Sequence, residues 1–569
     1  MLELREVTVA IDDDPENEPL LKDFSARFPR GELCALLGPS GSGKTTLVRA
    51  VAGIAGVVGG SLHWEDRNLE EEDLPPSQIG YVPQFTISHE NLSAEENVKL
   101  ALRLRIAGLT NEQSEERKNE LLELTGLAAA AGTIAKNLSG GQRRRLALAM
   151  ELASAPPLLL CDEVTSGLDA KSEKEILELL RKVARDGNRV VLVVTHSLRD
   201  LDLFDKVAIL SDGHLAYFGP PDTAAHYFRA ETVEGIFDRL PLRRGDDWHA
   251  SWKKHRAHFE NSHHEDAERG PAGNLKNTNA NAVRLPGAWL QFLTLLGVRW
   301  KNFARNKTGV ALQLGLLLGF PCVVALFALD GLPAVPGVDA DLSGDVVRQM
   351  AEARTFAEGA SKAGSMVSGL VLLQVILLGL MGANNSAREI AGERSIFEKE
   401  RFAGVNTAAY IGSKVAFLAV LVIFQSVWMT WFVRAVAHFP GDAPQQFLFY
   451  LLANASLTAV CLGISAVAKS ADQASLASIY LVGFQLPLSG AVLALPAGFD
   501  AALRPFIAAY WSWSGTLQSL RATRYYDVLE LVVPTSLSAA PLCTWVLATH
   551  VILGIFIAWL GCLRAAWDR

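Results

Sequence analysis

Residues 38–46, GPSGSGKTT, follow the pattern G-x-x-x-x-G-K-[ST], placed after an apolar run that reads as a strand and before a stretch with helical spacing. Gly38, Gly41 and Gly43 let the backbone turn tightly, so that successive N–H groups can face phosphate oxygens. The helix that follows adds the positive end of its dipole. In such a loop Lys44 reaches the β- and γ-phosphates, the Thr45 hydroxyl ligates Mg²⁺, and Pro39, Ser40, Ser42 and Thr46 complete the ATP contact. A second group stands at 158–163, LLLCDE, an apolar run ending in two carboxylates. Asp162 is placed to hold Mg²⁺ through water, and Glu163 to polarise an attacking water as general base. By itself a strand ending in Asp-Glu is a common solvated strand end; the phosphate loop upstream gives this one its chemical meaning.

LSGGQ (138–142) opens a further helical stretch. Ser139, Gly140, Gly141 and Gln142 leave N–H groups and a hydroxyl bare at a helix N-terminus, a second anion site. Behind them runs Arg143–Arg145, most of it expected on a solvated helix face.

Holding these groups requires strands that end near one another. Leu33–Leu37, Leu158–Cys161 and Val190–Thr195 read as buried parallel strands, and Thr45–Ala55 and Ala170–Ala184 have helical spacing. Residues 1–220 therefore form an α/β domain with a mainly parallel sheet. Its expected bounds are 1–230, with a linker over 231–290. ENSHHEDAERGPAGNLKNTNANA (260–282) lacks apolar periodicity, and His263 and His264 read as solvated linker residues.

The whole chain has 569 residues, 53 Lys+Arg, 61 Asp+Glu and a formal net charge of −8, which argues against a nucleic-acid binder. Its six Cys are scattered without metal-ligand spacing, and the first 30 residues show no secretory leader. With 50% hydrophobic residues and a mean hydropathy of +0.19, the composition averages two unlike halves. After residue 290 come six uncharged runs, each meeting the ~17–25 residues of a membrane-crossing helix. The spans are expected near 309–329, 366–387, 412–433, 447–468, 475–496 and 542–563, in an all-α domain over 291–569. Arg299, Lys301, Arg305 and Lys307, then Arg388, Arg394, Lys399 and Arg401, then Lys469, Arg564 and Arg569, are expected on one side. That asymmetry places the α/β domain and both termini in the cytoplasm.

The order GPSGSGKTT, YVPQ (81–84), LSGGQ, LLLCDE, SGLD (166–169) and TH (195–196) resembles the nucleotide-binding domain of an ATP-binding cassette transporter. The resemblance covers nearly all of residues 1–220. It implies that Gln84 contacts Mg²⁺ and the attacking water, that Ser166–Asp169 with Asp169 meets nucleotide across a dimer, and that His196 reaches the γ-phosphate. A nucleotide domain preceding its own six-span ABC-2-type membrane domain is similar to the G-subfamily, white/pigment-type half-transporters. LAYFGPPDTAAHYF (215–228), WKNFARNK (300–307) and ERSIFEKERFAG (393–404) resemble that family's strings. Val164 stands where Pro is usual, no aromatic precedes Phe24 to stack on adenine, and 496–530 has no Cys; the last fits a member from a bacterial inner membrane.

The resemblance implies a dimer, either with a second copy of the chain or with a related half-transporter, in which the signature of one chain closes over the ATP of the other. It implies an exporter of lipophilic or amphipathic substrates or lipids; the alternative is a membrane ATPase that drives a partner complex without transporting a substrate. ERSIFEKER and WKNFARNK are expected to transmit closure to the membrane. Polar residues inside spans line cavities or bond between helices, and family analogy singles out Gln374, Phe484 and Gln485 as pocket residues. YWSW (510–513) reads as an aromatic belt or re-entrant cap at the outer interface.

Overall fold

A computed structural model describes residues 1–10, 18–233, 235–260, 284–329, 331–335, 346–492 and 496–564. His263, His264 and nearly all of the 260–282 linker lie outside these residues. The chain divides into two units, Met1–Thr294 with Ser395–Asn406, and Leu295–Arg394 with Thr407–Ala565.

The first unit is built on two sheets. β1 (Leu2–Ala10), β2 (Pro19–Phe28), β4 (Gly59–Trp64) and β5 (Arg67–Asn68) form an antiparallel sheet in the order β2-β1-β4-β5. The larger sheet has the order β10-β9-β3-β8-β7-β6, with β3 (Leu33–Leu37), β6 (Ile79–Val82), β7 (Leu158–Asp162), β8 (Val190–Val194), β9 (Lys206–Ser211) and β10 (His214–Gly219). β9, β3, β8, β7 and β6 run parallel, and β10 returns antiparallel. β3, β7 and β8 are buried at every position, which explains their unbroken Leu/Val/Cys/Ala runs.

Helices α1 (Lys44–Val51), α2 (Ala94–Arg105), α3 (Asn111–Leu124), α4 (Gly140–Glu151) and α5 (Ala170–Asp186) follow in the sequence. α2, α3 and α4 each start with a capping box, on Ser93, Thr110 and Ser139. Such a cap supplies a partner to otherwise bare N–H groups and is worth about 1 kcal/mol. α6 (Pro221–Phe228) closes the expected domain, and two more helices, α7 (Ile236–Arg239) and α8 (Gly245–Glu260), occupy the start of the expected linker. They are folded onto the sheet: Trp248 and Trp252 are buried, and Trp252 meets Tyr217 of β10 edge-on with centroids 5.3 Å apart. An aromatic seam of this kind has no sequence period, so composition alone marked the segment as linker.

α9 (Ala288–Arg305) leads into α10 (Lys307–Leu326), α11 (Val346–Ser386), α12 (Arg394–Phe402), α13 (Thr407–Ala437), α14 (Ala443–Val467), α15 (Ala471–Leu488), α16 (Ala497–Leu503), α17 (Ala508–Gln518), α18 (Arg524–Val532) and α19 (Ala540–Arg564). Among the described residues five segments are long and apolar enough to cross a membrane, those of α10, α11, α13, α14 and α19. The expected span at 475–496 corrects to α15, which does not qualify. Its 18 residues include Asp472, Gln473 and Ser475, and it stops at Leu488 before the left-handed Gly490. α11 begins twenty residues earlier than 366. At 41 residues and ~1.5 Å each it is roughly twice as long as the ~30 Å hydrocarbon core requires.

The YWSW belt is also a correction. Tyr510, Trp511, Ser512 and Trp513 lie on α17 and are buried in the second unit's core, with the Trp513 indole N–H donating to Ser368. A run of aromatics signals an interface only when the polar tips reach water, and here protein groups satisfy them.

Candidate functional site

The parallel sheet brings the sequence motifs to one edge. β3, β8, β7 and β6 are neighbours in that order, so the loops leaving their C-terminal ends line up. The phosphate loop leaves β3, His196 follows β8, Asp162 and Glu163 close β7, and Gln84 follows β6. Ladder pairing makes Val194 the partner of both Leu36 and Asp162, which sets these loops side by side.

The phosphate loop wraps back on its own helix. Gly38 has φ 147° and Gly43, the N-cap of α1, has φ 92°. A Cβ on Gly38 would stand 2.5 Å from the Leu210 carbonyl oxygen, and one on Gly43 2.9 Å from that of Leu20. Both positions are therefore closed to other residues by backbone approach as well as by φ. Lys44 is buried and donates to the Gly38 and Pro39 carbonyls at 2.9 and 2.8 Å. Burial draws its ammonium below the usual lysine range, against the pull of Glu163 and Asp162. Ser42 is buried too, and its Oγ has no hydrogen-bond partner. A buried, unpaired hydroxyl inside a glycine cradle fits a phosphate oxygen as its missing partner. Pro39, Ser40 and Gly41 are exposed at the loop's crest, and Thr46 is half-buried on α1.

Thr45 Oγ1 donates to Asp162 Oδ1 at 3.2 Å, so the two expected Mg²⁺ ligands from distant motifs meet. Burial raises the Asp162 carboxyl above the ordinary carboxylate range, only partly opposed by the Thr45 hydroxyl. The other oxygen accepts from the Tyr81 hydroxyl at 3.4 Å. Tyr81 is a residue the motif reading passed over, although YVPQ contains it; its apolar strand setting hid the polar tip.

Glu163 is the hub of the edge. Gln84 Nε2 donates to its Oε2 at 2.8 Å, and His196 Nε2 is hydrogen-bonded to its Oε1 at 2.8 Å. Its backbone sits at φ 50°, a left-handed conformation that costs a non-glycine residue about 1–2 kcal/mol and clusters at functional sites. Gln84 is thus brought to Glu163 rather than to Asp162.

The signature Ser139 caps α4: its Oγ accepts from the Gln142 N–H at 3.2 Å, and Gln142 Oε1 accepts from the Ser139 N–H at 3.0 Å. Gly140 is exposed and Gly141 half-buried in the first turn, and Asp169 caps α5 by accepting from Ser172. The arginines behind the signature, Arg143 exposed and Arg144 and Arg145 half-buried, are all tied to nearby groups. Arg143 donates to the Leu138 and Lys136 carbonyls, Arg145 to the Thr125 carbonyl and Glu175, and Arg144 to the Gln84 carbonyl.

Ser395–Asn406, which takes in all but the first two residues of the 393–404 string, lies in this unit. Lys399 pairs with Glu151 at 3.1 Å and donates to the Ile87 carbonyl, and Glu400 meets His89 Nε2 at 3.1 Å. WKNFARNK belongs to the second unit, where Trp300 and Phe303 pack on Phe417.

In the second unit Gln374 is buried and donates to Leu370 of its own helix, and Gln485 Oε1 accepts from the Ala509 N–H at 3.0 Å. Phe484 is exposed. Another polar set joins four helices: Gln313 donates to Asn385 at 2.8 Å, and Asn385 and Asn454 each donate to Gln425 Oε1 at 3.0 Å. Its members lie on four separate stretches of the sequence, so only packing reveals the cluster.

Comparison with known proteins agrees with this division. Residues 21–166 match the family described as "ABC transporter", and residues 290–513 the family described as "ABC-2 type transporter". The "ABC transporter ATP-binding/permease protein Rv1747" of Mycobacterium tuberculosis is 31% identical over 503 residues, 86% of this chain and 54% of that protein. The "Sulfate/thiosulfate import ATP-binding protein CysA" of Bacillus cereus is 38% identical over 205 residues, 36% of this chain and 57% of its own. The "Methionine import ATP-binding protein MetN" of Rhizobium etli is 36% identical over 209 residues, 35% of this chain and 57% of its own. The chain thus spans little more than half the length of each of these relatives.

Proposed function

Because the chain has the architecture of an ABC half-transporter, an ABC transporter ATPase domain followed by an ABC-2-type membrane domain, we propose that it hydrolyses ATP in a dimer and couples the cycle to export of lipophilic or amphipathic molecules, lipids included. The observation that carries the ATPase reading is the Glu163 carboxylate held between Gln84 and His196 beside a phosphate loop. Lys44, Ser42 and the loop N–H groups bind the phosphates. Thr45, Asp162 and Gln84 would hold Mg²⁺, which when bound neutralises charge developing on the transferred phosphate. Glu163 takes a proton from the attacking water, and Gln84 and His196 fix the direction of its carboxylate.

Ser139–Gln142 and Asp169 of one chain complete the site of the other, so each dimer holds two composite sites. A homodimer suffices, since one sequence carries every motif. ATP favours the closed pair, and hydrolysis removes the bridging phosphate. Docking of Lys399 and Glu400 on the ATPase unit supports Ser395–Asn406 as the segment that passes closure to the membrane domain.

The five membrane-length helices make the chain a multi-pass integral membrane protein. In this reading the ATPase unit lies in the cytoplasm of a bacterial inner membrane. Domain order and the strings at 215–228 and 393–404 support placement with the G-subfamily. The relatives named as importers match 36% and 35% of the chain, shares too short to include both halves, so they do not argue against export. The pocket assignment of Gln374, Phe484 and Gln485 is retained as the site where substrate contacts are to be sought.

The full-length chain in lipid vesicles with Mg-ATP tests this reading. Phosphate release and ATP-dependent movement of a fluorescent lipid or lipophilic dye are both expected, and both are lost in Glu163→Gln. No phosphate release overturns the ATPase reading; turnover that moves no member of a probe panel favours an ATPase working a partner complex.

A further inference from the structure

The three arginines behind the signature are spent differently. Arg143 and Arg145 anchor α4 to nearby carbonyls and to Glu175. Arg144 instead reaches the sheet edge, donating through Nη1 to the main-chain carbonyl of Gln84. The side chain of that same Gln84 donates to Glu163 Oε2 at 2.8 Å. One residue thus receives Arg144 on its backbone and holds the general base with its amide. Arg144 also borders a small cavity with Cys161 and Val164, which flank Asp162 and Glu163 in the chain.

This placement is not where a free arginine would settle. Burial draws the Arg144 guanidinium below its usual range, and the Glu163 carboxylate opposes that shift. Giving up water is unfavourable for a cation unless polar partners replace it, and here the partners are the Gln84 carbonyl and the field of Glu163. Arg144 lies two residues after Gln142 on the helix that Ser139 caps. A rigid helix turn therefore separates the signature from the loop that aligns the base.

We propose that Arg144 is a positioning residue through which the signature of a chain, closing on the partner's ATP, sets the alignment of Gln84 and Glu163 in its own chain. The two composite sites of the dimer then report to each other. The inference rests on the dimeric ATPase reading above. Arg144 touches neither nucleotide nor water in this role; it acts through the Gln84 backbone.

The test is steady-state ATP hydrolysis by the full-length chain in lipid vesicles, as wild type, Arg144→Ala and Arg144→Lys, with ATP binding measured in parallel by a fluorescent ATP analogue. Misplacement of a catalytic group by about 1 Å costs up to ~100-fold, so Arg144→Ala is expected to lower kcat by roughly ten- to a hundredfold. KM stays within about threefold because the phosphate loop is untouched. The Hill coefficient for ATP falls to that of independent sites, and Arg144→Lys, which keeps a charge and donors, recovers part of both. Wild-type kcat and cooperativity in Arg144→Ala, or a wild type that hydrolyses ATP without cooperativity, overturns the proposal and leaves the ATPase reading standing. Loss of analogue binding in both variants shows a structural role and overturns it as well. A wild type that releases no phosphate overturns the ATPase reading itself.

Discussion

Lys399 Nζ stands 3.1 Å from Glu151 Oε1, joining a helix drawn from the membrane half of the sequence to the helix that begins with the signature. Arg105 approaches the same carboxylate with two hydrogen bonds of 3.0 Å. Lys399 is 3% exposed and Glu151 2%, so one carboxylate answers two cations out of water. Burial alone would raise the Glu151 carboxyl, yet Arg105 and Lys399 hold it below the ordinary range. Lys399 is drawn below the lysine range by burial, which Glu151 only partly opposes.

Removing Glu151 should therefore cost more than removing either cation. Glu151→Ala strands Arg105 and Lys399 and is expected to lose about 3–5 kcal/mol of stability. Lys399→Met, which leaves the Arg105–Glu151 pair, should lose less. Because Glu151 has a depressed folded-state pKa, its contribution is complete at neutral pH and disappears as pH falls through that lowered value. Denaturant unfolding of both variants at neutral and acid pH measures the order and the trend.

Glu163→Gln keeps the shape and the hydrogen-bond partners but cannot accept a proton. Turnover is expected to fall by ~100-fold or more while ATP binding persists. His196→Ala, which frees Oε1 of Glu163, should lower kcat with little change in ATP affinity. Rapid-quench hydrolysis beside equilibrium nucleotide binding separates the two quantities.

Asp162 gives a pH signature. Its carboxyl is raised by burial, so it holds a proton at a pH where an ordinary aspartate is already ionised. A divalent cation needs the ionised form, so Mg²⁺-dependent ATP binding should weaken as pH falls through this raised value. Thr45→Ala removes the hydrogen bond that lowers the pKa, which moves the acid limb to higher pH. Mg²⁺ titrations over pH, in wild type and variant, check both shifts.

Gly43→Ala should empty the phosphate loop without unfolding the sheet. The new Cβ meets the Leu20 carbonyl at 2.9 Å in a backbone with φ 92°, and strain of about 1–3 kcal/mol follows. Loss of ATP binding with an unchanged far-UV spectrum is the expected result.

Gln425 serves three helices besides its own, through Gln313, Asn385 and Asn454. Gln425→Leu removes the acceptor of the Asn385 and Asn454 amides while leaving the Gln313–Asn385 bond, and should destabilise the membrane unit by about 1–2 kcal/mol. Thermal unfolding in lipid reads the loss. ATP hydrolysis by the ATPase unit should survive at low temperature.

How far the site could be read from residues alone depends on how local its physics is. The phosphate loop and the capped signature are contiguous strings whose glycines and cap act within one turn, so each is legible by itself, whereas Asp162 and Glu163 take their meaning from the phosphate loop upstream. Tyr81 and Arg144 are not legible in either way. Tyr81 sits in an apolar strand and Arg144 in a basic run, and each owes its role to one atom of a distant loop. The apolar run at 475–496 continues past the helix end at Leu488, so its composition overstates α15 as a membrane span. The YWSW reading failed because side-chain type does not say which neighbour will cover it.

Residue order determined by itself that a phosphate-binding α/β half precedes an apolar helical half, since hydrophobic period and glycine spacing are properties of adjacent residues. Tertiary structure alone decided that Thr45 meets Asp162, that Glu163 is shared by Gln84 and His196, and that Lys399 is buried on Glu151. Those pairs join separate strands and helices. They exist because parallel ladders carry the C-terminal ends of β3, β8, β7 and β6 to one edge, an alignment set by packing across the sheet rather than by neighbours along the chain.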